Sequence, residues 1–126
     1  MARLVVDGED VVVRLSWREK AAARCRDVRI PLTAVKDVRV EPDWWRALRG
    51  GRRRGLYIPG RFCLGKWQHR DGRDFVALNA ADPAVCVELR RSAPFTRLAV
   101  SVPDPDEVTR TIRTRRPGER RPALGR

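Results

Sequence analysis

The chain has 126 residues, with 28 lysines and arginines against 16 aspartates and glutamates, and a net charge of +12. This length fits one domain. No stretch reaches the ~20 consecutive apolar residues of a membrane-spanning helix, and Met1–Asp7 lacks the apolar run of a secretory signal peptide. Three widely spaced cysteines, Cys25, Cys63 and Cys86, do not make the even, dense set of a disulfide scaffold. We therefore expect a cytoplasmic protein with reduced thiols.

The first elements are a hairpin and a short helix. Arg3–Val6 and Val11–Leu15 are β-rich runs on either side of an acidic turn that contains glycine, which predicts a β-hairpin. Ser16 and Glu19 have the spacing of a capping box, which predicts a helix that ends near Cys25. The residues expected on one stripe of that helix are Trp17, Ala21 and Cys25.

The middle of the chain contains two strands, a helix and a loop. Val28–Pro31 and Val35–Val40 are rich in β-branched residues and predict strands. Asp43–Arg49 predicts about two helical turns, with Asp43 as the N-cap and glycines after the end. The segment Gly51–Gly60 contains three glycines and a proline, which predicts a loop.

The second half of the chain continues with strands. Arg61–His69 and Phe75–Asn79 flank Asp71-Gly72, a dipeptide typical of β-hairpins. Ala84–Arg90 and Thr96–Val102 alternate apolar and polar residues and predict two more strands. The residues expected to share one core are Leu4, Val6, Val11, Val13, Leu15, Ile30, Val38, Val40, Val85, Val87, Leu98, Val100 and Ile112.

A final helix is predicted at about 105–114. Asp104 is placed as its N-cap, Pro105 is the first helical residue, and Val108 and Ile112 make an apolar pair. We expect this helix to close a domain of residues 1–114. Residues 115–126 are basic and contain almost nothing apolar, which predicts a disordered tail.

The order of about seven strands followed by a helix predicts a mainly β (α+β) fold, a bent antiparallel barrel or roll with the C-terminal helix as its cap. This chain is similar to the pleckstrin-homology-like (PH-like) fold, and it resembles a family of small actinobacterial PH-like proteins of unknown function. The segments that carry the resemblance are Val28–Val38, Trp45–Gly50, Ile58–Gly60, Leu64–Trp67, Asp74–Val76 and Val100–Glu107. The resemblance implies no catalytic or ligand-binding residue. Lipid-binding PH domains hold inositol phosphates with a basic first turn, whereas residues 7–10 here are acidic, which argues against that site.

Catalytic and metal-binding patterns are lacking in the sequence. His69 is the only histidine, and it is expected to be exposed beside the Asp71-Gly72 turn. It has no nucleophile at a spacing that would bring the two together on a strand. There is no pair of metal ligands at zinc-site spacing, and no phosphate-binding loop with a Lys followed by Ser or Thr. We expect neither an enzyme nor a cofactor.

The charge is concentrated in two blocks. Residues 44–70 contain eight basic residues and no acidic one, and residues 110–126 contain seven arginines and one glutamate. Within the first block, tryptophans alternate with arginines, which predicts a binding surface on one exposed loop. The residues assigned to it are Trp44, Trp45, Arg46, Arg49, Arg52, Arg53 and Arg54.

Four interpretations of this block stay open at the sequence level. Trp and Arg are favoured anchors at protein interfaces, which indicates an acidic protein partner. The same residues could hold an anionic membrane surface at the inner face of the membrane, or single-stranded nucleic acid. Alternatively, the aromatic residues belong to the core and the arginines are merely solvated. The acidic protein partner is the interpretation we adopt, and the oligomeric state is not predicted.

Overall fold

The computed structural model describes residues 2–115, which form two β-sheets and two α-helices. One sheet has three strands in the order β1-β2-β3, and the other has six in the order β4-β8-β9-β7-β6-β5. The helices are α1 (Trp17–Ala23) and α2 (Pro105–Arg115), and two 3-10 turns cover Leu32–Ala34 and Trp44–Ala47. The strands are β1 (Arg3–Asp7), β2 (Asp10–Arg14), β3 (Val28–Pro31), β4 (Val35–Glu41), β5 (Gly51–Ile58), β6 (Phe62–His69), β7 (Gly72–Asn79), β8 (Ala84–Leu89) and β9 (Arg97–Ser101).

The predicted mainly β chain with a C-terminal helix is confirmed, but the predicted barrel of about seven strands is not. The described residues form nine strands, and no strand pairing joins the two sheets into a closed barrel. Within the large sheet, β9 inserts between β8 and β7 and runs parallel to β7, whereas the other neighbours are antiparallel. The predicted tail begins one residue too early because Arg115 still belongs to α2, and its residues 116–126 lie outside the described part of the chain.

The main core lies between the two sheets. We call the face of the six-stranded sheet that packs on the small sheet the inner face, and the opposite one the outer face. Val11, Val13 and Ile30 of the small sheet are completely buried there together with Ile112 of α2. Of the predicted core residues, Val6 and Val40 are only partly buried. The others are buried as predicted.

The capping box of α1 is confirmed. The Ser16 hydroxyl accepts the backbone N–H of Glu19 at 3.2 Å, and the Glu19 carboxylate accepts the backbone N–H of Ser16 at 2.8 Å. The predicted stripe is wrong: the helix ends at Ala23 with Arg24 in the left-handed conformation, and Trp17 is 74% exposed. The helix has only 7 residues, and Ala23 in its last turn is its buried residue. Trp17 lies in the exposed first turn.

The predicted loop 51–60 is in fact mostly strand β5, which pairs with β6 in antiparallel register. Gly55 and Gly65 are cross-strand partners with φ angles of 138° and 142°, and a Cβ at Gly65 would lie 2.6 Å from the Gly55 Cα. Glycine is therefore required here for a close approach of two strands and not for a turn. The predicted helix 43–49 is likewise wrong, because this segment forms a single 3-10 turn and then an extended crossing of the sheet.

Candidate binding surface

Residues 42–50, which we call the crossover segment, connect the two edges of the large sheet. Strand β4 lies at one edge and β5 at the other, so the chain must cross the sheet between them. The segment does so over the outer face: its 3-10 turn contacts β4 and β8, and Gly50 lies against the backbone of Gln68 on β6. Five strand spacings correspond to about 24 Å, which nine residues in partly extended conformation can span.

Apolar side chains hold the crossover segment on the outer face. Trp44 and Leu48 are partly buried, and Ala47 is completely buried, against a second, smaller core. The floor of that core comes from the sheet: Cys63, Trp67, Val76, Leu78, Ala84, Cys86 and Ala99. Several of these side chains are small, so the crossover segment can approach the sheet closely.

A buried carboxylate fixes the end of the crossover segment. Asp74 on β7 is 0% exposed, and Arg49 donates to both of its oxygens, from Nε at 2.9 Å and from Nη2 at 2.8 Å. The Asp74 hydrogen bond is the main cause of a raised pKa of Arg49, so its guanidinium stays charged. The prediction that Arg49 lies on an exposed binding surface is wrong, because its guanidinium is bound to the buried carboxylate of Asp74.

His69 completes the same cluster. Its side chain is 8% exposed, so the predicted exposed histidine is wrong as well. The ring Nδ1 accepts the backbone N–H of Asp71 at 3.2 Å. The hydrogen of the neutral ring is therefore on Nε2, which donates to Asp74 Oδ1 at 2.9 Å. Both ring nitrogens are occupied by structural hydrogen bonds, and neither is available as a general base.

A second buried pair holds the middle of the crossover segment. Arg97 on β9 is 7% exposed, donates to Glu88 Oε2 at 2.7 Å and reaches the carbonyl oxygen of Ala47 at 3.4 Å. Glu88, Arg97 and Asp74 are successive cross-strand partners, so an alternating row of charges runs across the outer face. Arg49 and Arg97 thus bind the crossover segment to this row from two sides.

The two tryptophans of the predicted surface have different environments. Trp44 packs on the second core and meets Trp45 edge to face at 6.4 Å between ring centroids. Trp45 itself is 57% exposed. Arg46 has a side chain that is 66% exposed and is 3.4 Å from Asp43, an ion pair at the surface. These three residues lie near β4 and β8.

The residues Arg52, Arg53 and Arg54, which we call the arginine triplet, lie at the opposite edge of the sheet on β5. All three are exposed, and none of them forms an ion pair with another residue in the range 2–115. The register shifts between Arg52 and Arg54, so Arg53 is the extra residue of a β-bulge. Tyr57 and Ile58 follow on the same strand and are 39% and 38% exposed.

The structure therefore divides the predicted surface into three parts. Trp44, Trp45 and Arg46 lie at one side, Arg49 is internal, and the triplet is at the other side. Strands β8 and β5 are four spacings apart, which is about 19 Å. The expectation that these residues form one surface on one exposed loop is wrong, because the crossover segment takes the chain across the sheet between the tryptophans and the triplet.

The two edges of the large sheet differ in how they are covered. At the β4 edge, α2 packs along the strand, and Arg113 donates to the carbonyl oxygen of Val38 at 2.7 Å. At the β5 edge, the strand is paired with β6 on one side and with no other strand in the described part of the chain. An open edge presents unpaired backbone N–H and C=O groups to the surroundings.

The cysteines offer little reactivity. Cys25, Cys63 and Cys86 are buried free thiols, and burial raises the pKa of Cys63 to about 11. Burial also raises the pKa of Cys25 and of Cys86. A thiol with a raised pKa is protonated at neutral pH and is a poor nucleophile. Within residues 2–115, no group of three His, Cys, Asp or Glu side chains is arranged to hold a metal ion.

An apolar cavity of about 220 Å³ lies between α1 and the inner face of the large sheet. Ala22, Leu56, Phe62 and Leu64 contribute to its walls, and Arg18 is at its rim. The apolar part of its lining could receive a small apolar group. Glu19, whose carboxylate accepts the Ser16 backbone N–H, and buried Cys63 also line it.

Among the described residues, no helix is long and apolar enough to cross a membrane. No protein-family model matches the chain, and neither a curated protein nor a solved structure is similar to it at the level that would indicate common descent.

Proposed function

We propose that the protein is a non-catalytic binding or scaffolding module, and that it engages an acidic protein partner through the β5 edge. The observation that carries this proposal is the arginine triplet, three consecutive exposed cations without an ion pair among the described residues. Arginine is enriched at protein interfaces because its planar guanidinium donates two parallel hydrogen bonds to a carboxylate. Exposed Tyr57 and Ile58 beside the triplet supply apolar contact area.

The position of Trp45 favours a protein over a membrane or a nucleic acid. Both alternatives depend on aromatic side chains interleaved with the arginines, either at the headgroup level or stacked on bases. Trp45 lies near the other edge of the sheet, and the Tyr57 ring packs edge to face on Trp67 at 6.1 Å. An acidic protein surface needs neither of these rings.

The test removes the triplet and compares the result with a matched loss of charge. The variant Arg52→Ser, Arg53→Ser, Arg54→Ser loses three charges at β5, and Arg90→Ser, Arg91→Ser, Arg110→Ser loses three exposed charges elsewhere. Both variants should fold normally, because exposed substitutions change the free energy of unfolding by about 0.5 kcal/mol each or less. We expect the first variant alone to lose acidic proteins in a pull-down from lysate.

Two further assays decide between the alternatives. Loss of sedimentation with anionic liposomes in the triplet variant alone would identify a membrane surface, and loss in a titration with single-stranded oligonucleotide would identify nucleic acid. For a protein partner, the bound fraction should fall as salt rises, because exposed charges are screened within ~8–10 Å at physiological ionic strength. If the triplet variant behaves as the parent in all three assays, the triplet is solvated and the proposal is wrong.

We also propose that the fold is a divergent PH-like roll. Two sheets packed face to face and a C-terminal helix against β4 and β1 support this. An experimental structure of one of the actinobacterial proteins that the chain resembles would test it. An antiparallel roll of about seven strands with a C-terminal helix, at the positions of the matching strands of this chain, is the expected result, and two sheets that do not form such a roll would contradict it.

A further inference from the structure

We infer that the acidic partner binds by strand addition: an extended acidic segment pairs with β5 through its backbone and becomes a seventh strand of the large sheet. This inference rests on the proposed function and specifies how the partner is held. It also specifies the partner chemistry, which is an unfolded or exposed strand-forming segment and not a folded acidic surface.

The first argument is the difference between the two edges. The β4 edge is occupied by α2 and by the Arg113 hydrogen bond to Val38. The β5 edge carries eight residues, Gly51–Ile58, without a second strand among the described residues. Backbone groups at an edge are a template for pairing with another chain. The β5 edge therefore has no strand beside it, although α1 contacts β5 and the β-bulge at Arg53 interrupts the regular ladder there.

The second argument is that the charge of the triplet favours an acidic segment over a second copy of this chain. In the antiparallel register that pairs all eight residues of two β5 strands, Arg54 of one copy lies opposite Gly55 of the other, so the two triplets meet at the middle of the pair. Like charges that lie close together across two strands destabilise a sheet. Lys66, the cross-strand partner of Arg54, adds a further cation on the neighbouring strand. The same charges attract a segment of Glu and Asp residues, so the edge is selective for an acidic occupant.

The third argument gives the polarity of the partner segment. Along β5 the arginines come first and Tyr57 and Ile58 come last. Antiparallel pairing is slightly more stable per residue than parallel pairing. The partner segment should therefore begin with apolar residues, opposite Ile58 and Tyr57, and end with acidic residues, opposite the triplet.

The probe is a blocked eight-residue peptide with the sequence Val-Thr-Val-Thr-Glu-Glu-Glu-Thr, and two N-methylated forms of it. One form is methylated on the amides of its odd residues and the other on those of its even residues. In a strand, successive amides point to opposite sides, so one form loses every N–H toward β5 and the other loses none of them. Charge and side chains are the same in all three peptides.

We expect the unmethylated peptide and one methylated form to bind with similar Kd, and the other form to bind about tenfold more weakly or worse, because it loses several backbone hydrogen bonds. Bound peptide should slow the hydrogen exchange of backbone amides within Gly51–Ile58. The triplet variant should lose binding of the unmethylated peptide, whereas the variant at Arg90, Arg91 and Arg110 should keep it.

Equal binding of all three peptides, without protection of β5 amides, would overturn strand addition. If that binding still depended on the triplet, the proposed function would stand, since the acidic partner would be held by side-chain charge alone. No binding of the unmethylated peptide would also overturn strand addition, and the pull-down would then decide the proposed function separately.

Discussion

Replacement of Arg49 tests whether the buried cluster anchors the crossover segment. Arg49→Met keeps an unbranched side chain that reaches about as far as the arginine Nε, but it removes both hydrogen bonds to Asp74, whose carboxylate is 0% exposed. Removal of one partner from a buried ion pair costs about 3–5 kcal/mol, because the other charge is left in a poorly solvating environment. Arg49 has a 30% exposed side chain and His69 still donates to Asp74, so we expect about 3 kcal/mol.

Urea unfolding at pH 7 measures this loss, and two further variants show its cause. Arg49→Met combined with Asp74→Asn removes the buried charge and keeps an oxygen acceptor for His69, so it should cost less than Arg49→Met alone, about 1–2 kcal/mol in total. Arg46→Met removes an arginine whose surface pair with Asp43 spans 3.4 Å, and it should cost about 0.5 kcal/mol or less. A loss below about 1 kcal/mol for Arg49→Met, or equal losses at the two arginines, would refute the anchoring role of Arg49.

Three further predictions concern the rest of the fold. Gly65→Ala should cost about 3 kcal/mol or more in urea unfolding, because it adds a clash to a strained backbone, whereas Gly51→Ala on the paired strand meets nothing within 4 Å and should be nearly neutral. Ending the chain at Asp104 removes α2 with completely buried Ile112, which stabilises by about 1.5–3 kcal/mol, and partly buried Val108, and it uncovers the core beneath them, so cooperative thermal unfolding should be lost. A melting temperature like the parent's would show that α2 is not structural. Hydrogen bonding to Arg29 lowers the pKa of Asp7 below its ordinary value, so this carboxylate stabilises the fold at pH values above the ordinary pKa of an aspartate and ceases to do so as pH falls through its folded pKa. The difference between parent and Asp7→Asn in urea unfolding should therefore be largest near neutral pH and shrink as the pH is lowered.

Strands with an alternating apolar pattern were predictable from the sequence. Val11–Leu15 and Ala84–Arg90 place every second side chain in the main core, so the two-residue period of their sequences indicates which face is buried. Caps were predictable for the same local reason, as at Ser16 and Asp104, because a cap depends on residues within one helical turn.

Strand β5 could not be predicted from such a pattern. Its first residues are exposed arginines at a sheet edge, where no face needs to be apolar. Its Gly55 serves a cross-strand approach that depends on Gly65, ten residues further along the chain. The pair of Arg49 and Asp74 could not be predicted either, because the two residues are 25 positions apart and only the fold brings them together. One signal was present: Asp74 is a carboxylate next to the apolar run Phe75–Leu78, and a charge at a buried strand position needs a partner.

The basic residues of the block 44–70 lie close together in the sequence, but they do not form one patch on the surface of the fold. The sheet order places β4 and β5 at opposite edges, so the chain between them has to cross the outer face. Crossing buries Ala47 of this segment and places Arg49 over the buried carboxylate of Asp74. Buried acceptors require donors, which Arg97 supplies to the Ala47 carbonyl oxygen and Arg49 supplies to Asp74. Only the arginines that follow the crossing reach a free edge. The charge of this block therefore has two physical roles, internal anchoring before β5 and a cationic edge along it, and we propose that an acidic partner binds to the second.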